Sequence, residues 1–299
     1  MKHVVAVDIG GTDIKSALVN ENFEVLTTTS TPTPKPDPTG AETLDVIAEI
    51  VAGFSKENTI AAVGLGVLGV FDDALGICRW SGNLQWRDFP IRDLLQSRLG
   101  LPVAAGHDIR TAGLAEARDG AAAGYANSIF IAIGTGIAAS LVIDGEIRSS
   151  SGFAGEIGHV NVSGKFNCVC GRNGCLEAAS SALSISNAYN KAAGTRGVTT
   201  EAIAQLVRDG DPIANEIWSD AMQALARACE MLITILAPEA IIFGGGLAKS
   251  GDLLLDPISE GLDEALTFQR KPELKIARYG ALAGTIGCAM MAFDLVNRK

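Results

Sequence analysis

The sequence predicts an α/β protein of two similar domains facing a cleft. Three observations lead there. The chain has 299 residues, too many for one ordinary core. Apolar strand-like runs alternate with helical spacing along its whole length. A strand, glycine turn, strand pattern occurs at Val4–Val19 and again at Ile129–Val142.

The elements follow in order. His3–Ile9 reads as a buried strand, with Ile14–Val19 and Glu24–Ser30 after it. Four prolines in Thr31–Thr39 make that segment an extended loop. Ala41–Phe54 has helical spacing. Ile60–Val70 reads as a glycine-punctuated strand and turn. Ile91–Leu99 is a short helix, Leu101–Ala105 a strand, and Ile109–Ala122 the helix after it. The second set begins with strands Ser128–Ile133 and Ile137–Ile143. Asp144-Gly145 signals a hairpin into Glu146–Arg148. Gly152–Glu177 is a long loop rich in Gly, Cys and Asn, and such loops usually serve function. Helices are predicted at Leu183–Ala193, Thr200–Asp209, Pro212–Leu236 and Gly280–Asn297, with a strand at Ala240–Phe243 before Gly244-Gly245-Gly246.

The formal net charge is -10. An acidic surface repels nucleic acid and anionic lipid, so neither is an expected partner. A nucleotide site here must depend on local backbone N–H groups and Mg²⁺. Met1–Val7 is too short and wrongly flanked for an export signal. No uncharged stretch is read as long enough to span a membrane, and Met231–Ala237 reads as a buried helix end. The expected location is the cytoplasm. Of six cysteines, Cys78, Cys229 and Cys288 lie in apolar contexts and read as reduced core residues.

Asp8-Ile9-Gly10-Gly11-Thr12 stands where the first strand turns into the second. Glycines let the backbone approach an anion and aim N–H groups at it. Thr12 adds a hydroxyl, and Asp8 is suited to Mg²⁺, directly or through water. The plain alternative is a tight hairpin with an ordinary Asp. Gly134-Thr135-Gly136 supplies an equivalent turn, and Gly244-Gly245-Gly246 follows a buried strand as a candidate adenosine segment. A Rossmann motif is excluded because Gly10-Gly11 leads into a strand. No Walker-type loop is present.

His159, Cys168, Cys170 and Cys175 lie within one loop. Three thiolates and one imidazole complete a tetrahedral set for Zn²⁺, and sulfur ligands disfavour Mg²⁺ and Ca²⁺. The alternative is a cluster of free thiols with no purpose. A filled tetrahedron leaves no position for water, so the predicted metal is structural. Glu156 and Glu177 flank the set. They are candidate acceptors for sugar hydroxyls; otherwise they are surface carboxylates, or one orients His159.

Together these motifs resemble the ROK family of sugar kinases, within the actin/hexokinase/Hsp70-like superfamily. Gly155-Glu156-Ile157-Gly158-His159, followed by Cys168-x-Cys170-Gly171-x-x-Gly174-Cys175-Leu176-Glu177, is the most specific signature. The resemblance implies two ribonuclease-H-like domains (residues 1–117 with 285–299, and 118–284), with ATP and Mg²⁺ in the cleft and a homodimer. It implies a catalytic base at Asp108, and sugar contacts from Asn83, His107, Asp108, Glu156, His159 and Glu177. It points to glucose, phosphorylated at the 6-hydroxyl, ahead of an N-acetylhexosamine. Three departures stand out. His107-Asp108-Ile109-Arg110 replaces the usual Asn-Asp-Ala-Asn. Ala138-Ala139 replaces glycine after the second turn. Gly66–Asp72 lacks the usual prolines.

Two other function classes have sequence requirements of their own. A DNA-binding repressor needs a helix-turn-helix module, for which no room is seen before the first strand. A zinc-stapled sugar sensor without catalysis would not need Asp108.

Overall fold

The computed structural model describes residues 2–163 and 165–297. The chain divides into two compact units, Met1–Arg118 with Ile147–Ala154 and Leu282–Lys299, and Asp119–Glu146 with Gly155–Ala281.

The first unit begins with β1 (His3–Ile9), β2 (Asp13–Asn20), β3 (Val25–Pro32), α1 (Ala41–Ser55) and β4 (Ile60–Val67). A small antiparallel sheet follows, made of β5 (Val70–Asp72), β6 (Ile77–Ser81) and β7 (Trp86–Phe89). Then come α2 (Ile91–Leu99), β8 (Val103–His107) and α3 (Asp108–Asp119). The main sheet has order β3-β2-β1-β4-β8. The β1–β2–β3 meander is antiparallel, and β1, β4 and β8 run parallel.

The second unit holds β9 (Ser128–Ile133), β10 (Ile137–Ile143), β11 (Glu146–Arg148), the short α4 (Leu176–Ser180), α5 (Ala182–Ala193), α6 (Thr200–Arg208), α7 (Pro212–Leu236), β12 (Ala240–Gly244), α8 (Asp252–Ala265) and β13 (Glu273–Ile276). Its sheet order is β11-β10-β9-β12-β13. Taken by position, this is the order of the first sheet, so the repeat legible in the glycine turns extends to whole sheets. The last helix, α9 (Ala283–Asn297), returns to the first unit.

Packing in the first unit explains its sequence. A strand with helices on both faces is apolar on both faces. In β1, Val5, Val7 and Ile9 face a core with Leu44 and Ile47 of α1 and Leu95 of α2. The alternate residues Val4 and Ala6 face Cys288, Ala289, Ala292 and Phe293 of α9. In the second unit, α7 carries its buried face (Trp218, Ala221, Leu225, Cys229) into a core with Ile131, Ile241 and Phe243.

Some expectations need correction. Gly280–Asn297 does have the length and apolar composition of a membrane span, but 56% of it is buried inside the protein, as in a core helix. Its first three residues form a 3₁₀ turn, Gly280–Leu282. The end of α7 is not uniformly buried. Ile233 is 1% exposed but Ile235 is 76% exposed, because only one face of the helix meets the core. As read from the sequence, Ile60–Val70 holds a strand and a turn: β4 ends at Val67, and the turn leads into β5 of the small sheet. Strands β5–β7 and β13 and helix α4 are short and lie outside the sequence reading, as does α8, although its Leu254, Ile258 and Leu262 recur at helical spacing and are buried.

Candidate active site

Asp8 is the penultimate residue of β1 and directly precedes the first glycine turn. That turn is closed by Gly10 N–H donating to Asp13 O at 3.0 Å. The proline-rich segment, read from sequence only as a loop, clasps the same turn. Thr33 N donates to Thr12 O at 2.8 Å, and Thr33 Oγ1 donates to Gly10 O at 2.8 Å. Lys35 Nζ donates to Gly11 O. Lys35 is therefore a cation on the first glycine turn that motif reading does not reach, because it comes from a distant loop. Asn83 also lies over this turn: a Cβ on Gly11 would come within 2.9 Å of its amide nitrogen.

Asp108 is the first residue of α3. Its Oδ1 accepts from Ile109 N at 2.7 Å and lies 3.3 Å from His107 Nε2. A quarter of its side chain (25%) is open to solvent, but dense surroundings push its carboxyl up to about 6. The Ile109 N–H and the Arg110 charge oppose that rise. Asp8 is raised further, to about 7, first by burial and then by the Asp108 charge. A buried acid raised further by the charge of a second acid is the kind of group whose charge a divalent cation relieves. The oxygen donors at Asp8 therefore fit Mg²⁺. His107 is nearly enclosed, with 7% of its side chain exposed.

In the second unit, the turn at Gly134-Thr135-Gly136 is closed by Gly134 N donating to Gly136 O at 2.9 Å. Gly134 O accepts from Ala182 N at 2.9 Å, at the start of α5. Ala182 also borders a pocket of about 660 Å³ with Thr199, Gln205, Arg208, Gly246 and Lys249. Gly245 backs directly onto the Ile133 carbonyl, where a Cβ would stand 2.4 Å from the oxygen. The third glycine run thus lies between the second turn and this pocket. Of the pocket wall, the sequence had flagged only Gly246. The α6 residues carry no motif.

The Gly155–His159 segment lies along β10. Ala139 N donates to Gly155 O at 2.8 Å. Gly155 has φ 96°, and a Cβ there would meet Ala139 O at 2.0 Å, so no other residue fits. Glu156 is exposed, while Glu177 at the start of α4 has its Oε2 on Ile137 N at 3.0 Å. His159, Cys168, Cys170 and Cys175 converge, with all four ligand atoms within 4.8 Å of one another. Cys168 Sγ is 3.8 Å from His159 Nδ1, and Cys170 Sγ is 3.6 Å from Cys175 Sγ. Bond lengths of about 2.3 Å (Zn–S) and 2.0 Å (Zn–N) give tetrahedral edges of roughly 3.5–3.8 Å. The donor set therefore fits Zn²⁺. The Arg172 N–H, followed by the Cys168 thiol, lowers the Cys170 thiol to about 6, which favours the thiolate a metal needs. Arg172 also donates to His159 O at 2.7 Å, fixing the loop on itself.

Residues 4–294 match the family model described as "ROK family". The chain belongs to the ROK family. It is 35% identical to a glucokinase of Halalkalibacterium halodurans, over 95% of this chain and 92% of that one. It is 30% identical to an N-acetyl-D-glucosamine kinase of Pasteurella multocida, over 95% and 97%. Its fold superposes on the ROK family glucokinase of Streptomyces griseus, solved in complex with glucose and AMPPNP. The TM-score there is 0.85 at 30% identity, covering 98% of this chain and 99% of that one.

Proposed function

We propose that this ROK protein is an ATP-dependent hexose kinase that transfers the γ-phosphoryl group to the 6-hydroxyl of glucose, with Asp108 as general base. The observation that carries the reading is Asp108 itself. It sits at a helix start with its carboxyl raised to about 6, and its charge raises a second acid, Asp8, near the end of β1. A base works best when its pKa lies near the working pH.

The roles divide between the units. In the first, Asp108 accepts the proton of the attacking hydroxyl, and His107 holds the Asp108 carboxylate. Asn83 reaches the sugar from beside the first turn. Gly10 closes the first turn through its own N–H, the N–H groups of Gly11 and Thr12 face the phosphates, and Lys35 adds positive charge there. Asp8 would hold Mg²⁺, which when bound would supply positive charge for the phosphoryl oxygens. In the second unit, Gly134, Thr135 and Gly136 cradle the phosphates. Gly244, Gly245 and Gly246 pass under adenosine, whose base enters the pocket beside Arg208 and Lys249. The pocket volume suits a nucleoside. Glu156, His159 and the free oxygen of Glu177 accept or donate to sugar hydroxyls. His159, Cys168, Cys170 and Cys175 would hold Zn²⁺, which would order the loop carrying them.

We read each unit as one ribonuclease-H-like half, and the protein as a cytoplasmic homodimer acting on small molecules. A second reading, an N-acetylhexosamine kinase, is favoured by His107, which stands where the family usually has an Asn in contact with sugar. The deciding experiment is ADP formation by coupled assay over glucose, mannose, N-acetylglucosamine and N-acetylmannosamine. No hexose-dependent ADP formation would overturn the reading.

A further inference from the structure

We infer that Asp73 is a positioning residue for Asp108, acting through Arg110 and the His107 amide. The inference rests on the kinase reading above. Asp73 lies in the turn after β5, far in sequence from α3. Its Oδ1 accepts from His107 N at 3.1 Å. Its Oδ2 accepts from Arg110 Nε at 3.1 Å and pairs with Arg110 Nη2 at 2.8 Å. Arg110 Nη2 also donates to Phe71 O at 2.6 Å. One carboxylate therefore grips the residue before Asp108 and the residue two after it. The segment Phe71–Asp73, the end of β5 and its turn, becomes a clamp across the helix start.

The arrangement is demanding. The Arg110 side chain is 3% exposed, and a buried guanidinium must be paired. Asp73 is the only carboxylate in hydrogen-bond contact with it among the described residues. The planar fork reaches both the carboxylate and the Phe71 carbonyl, which a lysine ammonium cannot do. Asp108 has no such anchor on its own carboxylate: its Oδ1 meets only the adjacent Ile109 N–H and His107 Nε2 among the contacts described. Its backbone is fixed further by Thr111 Oγ1 donating to Asp108 O at 2.6 Å. The direction in which Asp108 points is thus set by groups on either side, and Asp73 holds both.

A base displaced by a fraction of an ångström loses rate without losing substrate. The test compares Asp73→Asn, Arg110→Gln and their double variant, reading kcat, hexose Kd by calorimetry, and Tm. An amide at residue 73 still accepts from His107 N but turns a donor toward the guanidinium. Asp73→Asn should lower kcat about tenfold, while hexose Kd stays within about twofold. The double variant should lose no more than the worse single variant, as expected of one linked unit. Wild-type kcat in Asp73→Asn, or losses that multiply in the double variant, would overturn the inference. So would a hexose Kd that weakens in step with kcat. Should Asp73→Asn not fold, Arg110→Lys takes its place. It keeps the charge but not the two-point grip, and wild-type kcat in it would also overturn the inference. A wild type that phosphorylates no hexose removes the kinase reading and this inference with it. An active wild type with unimpaired variants removes the inference alone.

Discussion

Glu177 Oε2 accepts the Ile137 amide proton at 3.0 Å, and that contact joins the cysteine-rich loop to the second glycine turn. Glu177 is two residues past Cys175, one of the four clustered ligands. Ile137 directly follows Gly134-Thr135-Gly136. Order in the cysteine-rich loop is therefore transmitted to the second glycine turn through one carboxylate.

Gly136 sits under that carboxylate. A Cβ there would stand 2.5 Å from Glu177 Oε2. The far end of a glutamate can move, so Gly136→Ala should fold but lose the Ile137 hydrogen bond. We expect kcat to fall roughly tenfold and KM for ATP to rise, with a stability loss of about 1–3 kcal/mol from the freed amide. Initial rates and denaturant unfolding check this. Unchanged KM for ATP would show that the turn does not depend on Glu177.

Metal content gives a second outcome. Purified protein should carry about one Zn²⁺ per chain, the number one tetrahedral set can hold. Cys170→Ser should lose zinc, hexose binding and thermal stability together, because loop folding and metal binding are linked. Metal analysis of freshly purified, unchelated protein decides the matter.

Lys35 is exposed, yet its ammonium sits on the Gly11 carbonyl. Lys35→Met should raise KM for ATP several-fold, since a surface charge contributes about 0.2–1 kcal/mol, and leave hexose Kd unchanged. Equal weakening of both ligands would place Lys35 in general folding of the loop.

Asp108→Asn should cut kcat by roughly 10²–10⁴. Its stability should depend on pH in a defined sense. The folded pKa of Asp108, about 6, lies above its ordinary value of 3.8. Ionising it in the folded state is therefore costly. Stability from the neutral form is full below pH 4 and is lost as pH rises through 6. The Asn variant removes this cost. It should match wild type at pH 4 and exceed it by on the order of 2–3 kcal/mol at pH 8. Denaturant curves at both pH values check the sign. A variant less stable than wild type at pH 8 would show that the carboxylate is stabilised in the fold.

What was legible in the sequence, and what was not, follows from range. The glycine turns, the ligand spacing and the strands β1, β9 and β10 carry local signals, so their ends could be read within a residue or two. Lys35, Asp73 and the α6 wall of the pocket beside Gly246 carry none. Each gains its place from a contact with a residue far away in sequence, Gly11, Arg110 and Gly246 respectively. Strands β5–β7 were missed for a related reason. They are three to five residues long, and their burial comes from packing on the first core, as with Phe71 and Trp86, both 0% exposed.

The choice of sugar is the last outcome to argue. His107 is 7% exposed and its Nε2 lies 3.3 Å from Asp108 Oδ1, so most of the ring is turned to the protein. A ring committed to Asp108 has little left for a sugar substituent. Glu156 is exposed and Glu177 keeps one oxygen outside its bond to Ile137. Two acceptors in one ordered loop favour a sugar with neighbouring unmodified hydroxyls, because each missing donor strands a carboxylate oxygen. Glucose should therefore give the highest kcat/KM, ahead of mannose and the N-acetylhexosamines, under identical conditions. His107→Asn should lower kcat more than it shifts the ranking of sugars, since it loosens Asp108 before it touches substrate. A wild-type preference above tenfold for an N-acetylated sugar would overturn the glucose assignment. If His107→Asn then restored glucose, the ring would have to reach the substrate after all, and Asp108 would be held mainly by its own helix and the Ile109 amide.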